Sequence, residues 1–175
     1  MKRVDRSGKS ARRLAGIAAR GLFCFGLVVM IFVGCVDAPL LPEPLGPDAM
    51  RAELKATGFP ASASPGTVLR GTITALNAGR AIWPADGEIG PQYKVNLGYR
   101  WLDPSGAVVV PYGSRRAALP SRVRPGGRAR VEVAVEAPRV AGEYLLEFDL
   151  VQENVSWFAE AGSETCRIPI RLLPG

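Results

Sequence analysis

Histidine is absent from all 175 residues. With it go the Ser-His-Asp and Cys-His nucleophile arrangements and every metal site built on imidazole. Cysteine occurs only at Cys24, Cys35 and Cys166. The first two fall in a leader, so Cys166 has no partner and no disulfide framework is expected. A basic surplus is also missing where it would matter. The chain has 22 Lys and Arg against 16 Asp and Glu, but seven of the bases (Lys2, Arg3, Arg6, Lys9, Arg12, Arg13, Arg20) and one acid, Asp5, lie within residues 1–34. The fifteen bases and fifteen acids of residues 35–175 cancel, whereas a nucleic-acid binder needs a positive footprint on its folded part. No nucleic-acid partner is expected. No amphipathic helical period of useful length follows the leader.

The leader has the order of an export signal: a basic start, an apolar stretch and a small residue at its exit. Residues 21–36 (GLFCFGLVVMIFVGCV) are sixteen positions without a charge, shorter than the roughly 20 of a spanning helix. Phe32-Val33-Gly34-Cys35 at the exit resembles the lipobox of bacterial lipoproteins. The resemblance implies that residues 1–34 are a signal peptide and that Cys35 becomes a fatty-acylated, palmitate-type N-terminus. It also implies attachment to a bacterial membrane on the periplasmic or cell-surface side. Each buried CH₂ contributes about 0.8 kcal/mol and stable anchoring takes more than one chain, a condition that lipoproteins meet. The alternative is an uncleaved signal anchor in which Cys35 is an ordinary buried thiol.

Residues 35–49 (CVDAPLLPEPLGPDA) hold Pro39, Pro42, Pro44 and Pro47 and no base. Proline fixes φ and removes a backbone donor, so an extended tether is expected here. From residue 50 the pattern changes to period two. In residues 93–101 (YKVNLGYRW) every odd position is large and apolar and every even one polar or Gly, the mark of a strand with one face buried. Residues 130–136 and 166–172 repeat it, the latter with Cys166 on the apolar face, which favours an inert thiol. Pro169 lies on the other face and marks an edge or an end. Further strands are expected near 51–57, 67–76, 107–111 and 143–152. Turn signals separate them at 77–79, 103–106, 125–127 and 140–142. Seven or eight short strands predict a single all-β domain over residues 50–175, an antiparallel β-sandwich of immunoglobulin-like type.

Asn77-Ala78-Gly79, Ile82-Trp83-Pro84, Gly98-Tyr99-Arg100-Trp101, Leu119-Pro120, Pro125-Gly126-Gly127, Ala137-Pro138 and Gly142-Glu143-Tyr144 follow in an order that resembles the four-tryptophan (FW) domain of next-to-BRCA1 autophagy receptors. Bacterial relatives of that module share a later stretch like residues 147–153 with Trp157-Phe158. The resemblance covers residues 50–173 and implies protein or glycan binding, without catalysis or cofactor. Only three tryptophans are present, one short of the family's number.

Trp101 ends an alternating strand on its apolar face and is expected in the core. Trp83, in an irregular stretch before Pro84, and the pair Trp157-Phe158 are the candidate ligand contacts, weighed against packing at the sandwich rim. Adjacent aromatics on a strand cannot both point inward, so one of the pair should be partly exposed. Glu147, Asp149, Glu153 and Glu160 raise a glycosidase reading, but nothing in the sequence desolvates them and a solvated strand face is expected. No catalytic residue and no metal ligand is assigned. Arg115, Arg116, Arg122, Arg124, Arg128 and Arg130 form a local cluster, read mainly as solubilising, with phosphate or acidic glycan as the alternative. The expectation is a membrane-tethered module that binds an envelope protein or glycan. Its rivals are an accessory subunit of an envelope complex and, least favoured, a carboxylate-dependent hydrolase.

Overall fold

The structure is a computed structural model and describes residues 43–85, 93–113 and 115–174. Its strands are β1 (Ala52–Thr57), β2 (Ser62–Ala63), β3 (Val68–Asn77), β4 (Val95–Leu102), β5 (Val108–Val110), β6 (Ala117–Ala118), β7 (Arg128–Glu136), β8 (Gly142–Gln152), β9 (Ser156–Trp157) and β10 (Cys166–Leu172). One 3₁₀ turn covers Ala159–Ala161. The long strands coincide with the period-two segments. The count differs from the expected seven or eight because β2, β6 and β9 are two-residue pairings, too short to leave a periodic signal.

Two sheets face each other. One has the order β1-β3-β7, and the other β2-β10-β8-β4-β5, with β6 also on β4 and β9 on β8. All pairings are antiparallel except β2 with β10, which is parallel and corrects the all-antiparallel expectation. Between the sheets lie Ile73, Val135, Trp101, Leu146, Phe148 and Leu150, each fully buried. Pro169 sits where its missing donor costs nothing. The Arg171 N–H points to Ala61, away from β8, and two residues earlier Pro169 faces the same side, before β2 begins to pair.

Three features give this sandwich its immunoglobulin-like character. With the two-residue pairings set aside, the first, second and fifth strands (β1, β3, β7) make one sheet, while the third, sixth and seventh (β4, β8, β10) centre the other. Trp101 is buried on β4, the third strand, edge-to-face with Tyr144 at 6.0 Å and donating from Nε1 to the Glu136 carbonyl at 2.9 Å. Tyr144, near the start of β8, donates from its hydroxyl to the Val140 carbonyl at 3.0 Å, the corner that ties a strand to its preceding turn. Asp103 organises the β4–β5 turn by accepting from the Ser105 hydroxyl at 2.6 Å and the Ala107 N–H at 2.9 Å. The Ser105 bond leads the effects that hold its carboxyl below the usual range.

The domain begins earlier than residue 50. Met50 and Ala49 are buried, Leu45 packs against the core, and the Leu45 N–H donates to Gln152 Oε1 at 2.7 Å. The end of the proline-rich stretch is therefore docked, because its polar backbone meets partners that the sandwich holds ready. Among the described residues no helix is long and apolar enough to cross a membrane.

Candidate functional site

The polar face of the larger sheet is where the sequence placed solvent, and it is covered. Register sets Arg167 of β10 and Arg100 of β4 on either side of Glu147 of β8. One pairing further along, Asp149 lies opposite Gly98. Gly98 leaves a gap that Trp157 fills: a Cβ there would lie 2.6 Å from Trp157 Cη2. A glycine inside a strand marks such a close approach.

Trp157 does not stand alone. The ring of Tyr112, from the segment after β5, stacks on it with centroids 3.6 Å apart and planes 16° apart. The Arg116 guanidinium lies over the Trp157 ring at 4.6 Å, and that of Arg100 over the Tyr112 ring at 4.7 Å. A ring has two faces, and each ring spends one on the other, so the arginines take the outer faces. The result is a column in the order Arg100, Tyr112, Trp157, Arg116. An aromatic pair adds about 0.5–1.5 kcal/mol beyond burial and a cation–π contact about 0.5–1 kcal/mol.

The column roofs two carboxylates. Glu147 is fully buried. It accepts from the Arg100 Nε–H, from the Arg167 Nε–H at 2.7 Å, from the Thr165 hydroxyl at 2.9 Å and from the Tyr112 hydroxyl at 3.4 Å. Burial alone would raise its carboxyl, but the bonds from Arg100, Arg167 and Thr165 outweigh it and hold the group below its ordinary value. Burial likewise opposes the Arg100 charge, yet its bond to Glu147 leaves that guanidinium raised. Asp149, 1% exposed, accepts only backbone donors among the described residues, the Leu150 N–H at 2.8 Å and the Ala159 N–H at 3.2 Å. Burial, with Glu147 adding to it, pushes its carboxyl up to about 6. The same burial and the two nearby carboxylates raise the Tyr112 hydroxyl. The expectation of a solvated carboxylate face is thus corrected: alternation marks these residues as polar, and distant segments fold over to desolvate them.

Two carboxyls pushed apart in this way can signal an acid–base pair. Here every oxygen of both already accepts a hydrogen bond from the chain, and the aromatic column lies above them. The arrangement braces the sheet face and presents a half-exposed aromatic and cationic surface.

The candidate contacts separate. Trp83 is fully buried, donates from Nε1 to the Ala49 carbonyl at 2.9 Å, and meets Phe158 edge-to-face at 5.3 Å. Phe158 is fully buried as well. Neither offers surface to a ligand, because the docked 45–50 segment and the turn after β9 close that end of the core. Trp157 is the partly exposed member of its pair. Cys35 lies outside the described residues. Cys166 is half-buried with its thiol pushed up by burial, which disfavours the reactive thiolate. Among the described residues no group of three or more His, Cys, Asp or Glu is placed to hold a metal. Sequence reasoning missed Tyr112, Arg100 and Arg116 as one unit. Gly98 on the outward side of a strand was the available signal.

No protein-family model and no curated protein matches the chain. Solved structures do. The CARDB domain of the PF1109 protein from Pyrococcus furiosus matches with a TM-score of 0.42 and 10% identity, over 70% of this chain and 86% of that one. The sporulation control protein Spo0M from Bacillus subtilis matches with 0.39 and 13%, over 70% and 50%. A PapD-like (ASH) domain of human CEP192 gives 0.33 and 16%, over 78% and 94%.

Proposed function

We propose that this chain is a membrane-tethered, non-catalytic binding module of a bacterial cell envelope, acylated at Cys35 and recognising a protein or glycan through the outer face of its larger sheet. The observation that carries the reading is the Arg100-Tyr112-Trp157-Arg116 column, a half-exposed surface of the residue types in which binding hot spots are enriched. Both faces of Trp157 are taken inside the column, so a partner meets ring edges and guanidinium groups. That favours an acidic protein surface or acidic glycan over face-on stacking of a neutral sugar. Catalysis is left out of the proposal because Glu147 and Asp149 spend their oxygens on internal donors. The resemblance of its motif order to that of the FW domain supports the same class of role.

The test is crosslinking in intact cells followed by mass spectrometry, comparing the wild type with Trp157→Ala. A partner lost in the variant while the circular dichroism is kept supports the proposal; an unchanged partner set sinks it. Cys35→Ser should abolish fatty-acid labelling and leave the precursor unprocessed, and persistent labelling would refute the acylation site. A second reading, an accessory subunit of an envelope complex, draws on β5. There Val108, Val109 and Val110 are all exposed on a short strand at the sheet edge, a template for pairing with another chain. One stoichiometric partner retained in Trp157→Ala would favour it.

A further inference from the structure

Along the β7 side the two sheets are tied at Glu136, whose N–H donates to the Tyr99 hydroxyl at 3.3 Å and whose carbonyl accepts from Trp101, and stay open around Val133. β7 is an edge strand, and β4 opposite it is paired only at its ends on that side, with β6 at Asn96 and Leu97 and with β5 at Trp101 and Leu102. Tyr99 and Val133 point inward by their place in the alternation, yet both are only partly buried. The reason is a cleft of about 460 Å³ between the sheets, lined by Tyr99, Val133, Phe148, Arg115, Arg116 and Glu132 among others. That volume lies within the range of small-molecule sites.

One of its arginines is unmatched. Arg115 is exposed and makes no ion pair with a described residue, whereas Arg116 is paired with Glu153 at 3.8 Å and donates from Nη1 to the Gly113 carbonyl. A second cavity, about 510 Å³ beside β2 and β10, makes the contrast: its Arg171 and Glu143 satisfy each other through two bonds at 2.6 and 3.1 Å.

We infer that the β7-side cleft binds a small amphiphilic anion, with its apolar body between Tyr99 and Val133 and its carboxylate or phosphate on Arg115 and Arg116. Binding there does not depend on acylation at Cys35, and it shares only Arg116 with the proposed partner surface. Because the Arg116 guanidinium also covers Trp157, an anion drawn to it would be sensed by that indole.

Water-soluble probes test this on the full chain in a neutral detergent. 4-Phenylbutyrate represents a free carboxylic acid and hexyl phosphate a lipid-like phosphate; 4-phenylbutyramide is the uncharged control. Binding is followed by ligand-observed NMR and by tryptophan fluorescence. The expected result is saturable binding of at least one anion and about tenfold weaker binding of the amide, the loss of roughly one charge-assisted contact. The tighter of the two anions identifies the source. Arg115→Ala should weaken anion binding by a similar factor, and Val133→Trp, which fills the cleft, should remove it. If Val133→Trp unfolds, Val133→Met provides a milder obstruction. Equal binding of acid and amide, binding indifferent to both Val133 variants, or no binding of either anion up to its solubility overturns the proposal. The crosslinking test with Trp157→Ala can fail independently of any of these.

Discussion

Strands β4 and β8 are covered on both faces, by different means. On the inner face Trp101, Leu146, Phe148 and Leu150 exclude water by apolar packing, at interior density and with few polar atoms to satisfy. On the outer face Glu147 and Asp149 are equally dry, but there dryness costs desolvation. Two arginines, a threonine and a tyrosine offset it at Glu147, and backbone donors do so in part at Asp149. The inner face tolerates nothing smaller. The outer face depends on segments more than 30 residues away in the chain, Tyr112 for Glu147 among them. Stability therefore resides in the first, and sensitivity to conditions in the second.

The largest expected effect breaks the inner face. Trp101→Ala should cost about 3–5 kcal/mol as a large core deletion, read from denaturant unfolding; a midpoint near that of the wild type would contradict its place in the core. The next sharpens the outer face. Asp149 has a folded-state pKa raised from 3.8 to about 6. The stability it allows is complete below about pH 4 and is lost as pH rises through 6, amounting to about 3 kcal/mol. Asp149→Asn removes that dependence, so stability measured across pH 4–7 should shift in the variant's favour as pH rises. A constant difference would show that Asp149 titrates normally. The smallest concerns the join between the faces. In Gly98→Ala the new methyl meets the Trp157 ring, so about 1–3 kcal/mol is expected, with a near-ultraviolet dichroism change that Ala134→Gly on exposed β7 lacks.

Much of the sandwich was legible because a strand with one apolar face must alternate. Expected strands at 51–57, 67–76 and 143–152 became Ala52–Thr57, Val68–Asn77 and Gly142–Gln152. The outer face was not legible, since the same alternation labels Glu147 and Asp149 polar without saying what lies above them. Trp83 kept two readings, packing at the sandwich end and ligand contact, for a related reason. An irregular stretch has no period to show which way a side chain points, and its partners, Ala49 and Phe158, arrive from distant parts of the chain. Adjacent Trp157 and Phe158 were separable, because neighbouring strand residues face opposite ways.

The docked segment ahead of β1 has a mechanical consequence. Leu45 holds Gln152 at the end of β8, the larger sheet's longest strand, and Ala49 holds the Trp83 indole deep in the core. Tension applied to the chain ahead of Glu43 would load these two clasps in series before it reached the ladder between β1 and β3. The first strand is thereby shielded from peeling, and yielding would begin as a few ångströms of slack paid out at Leu45 while the sandwich stays whole.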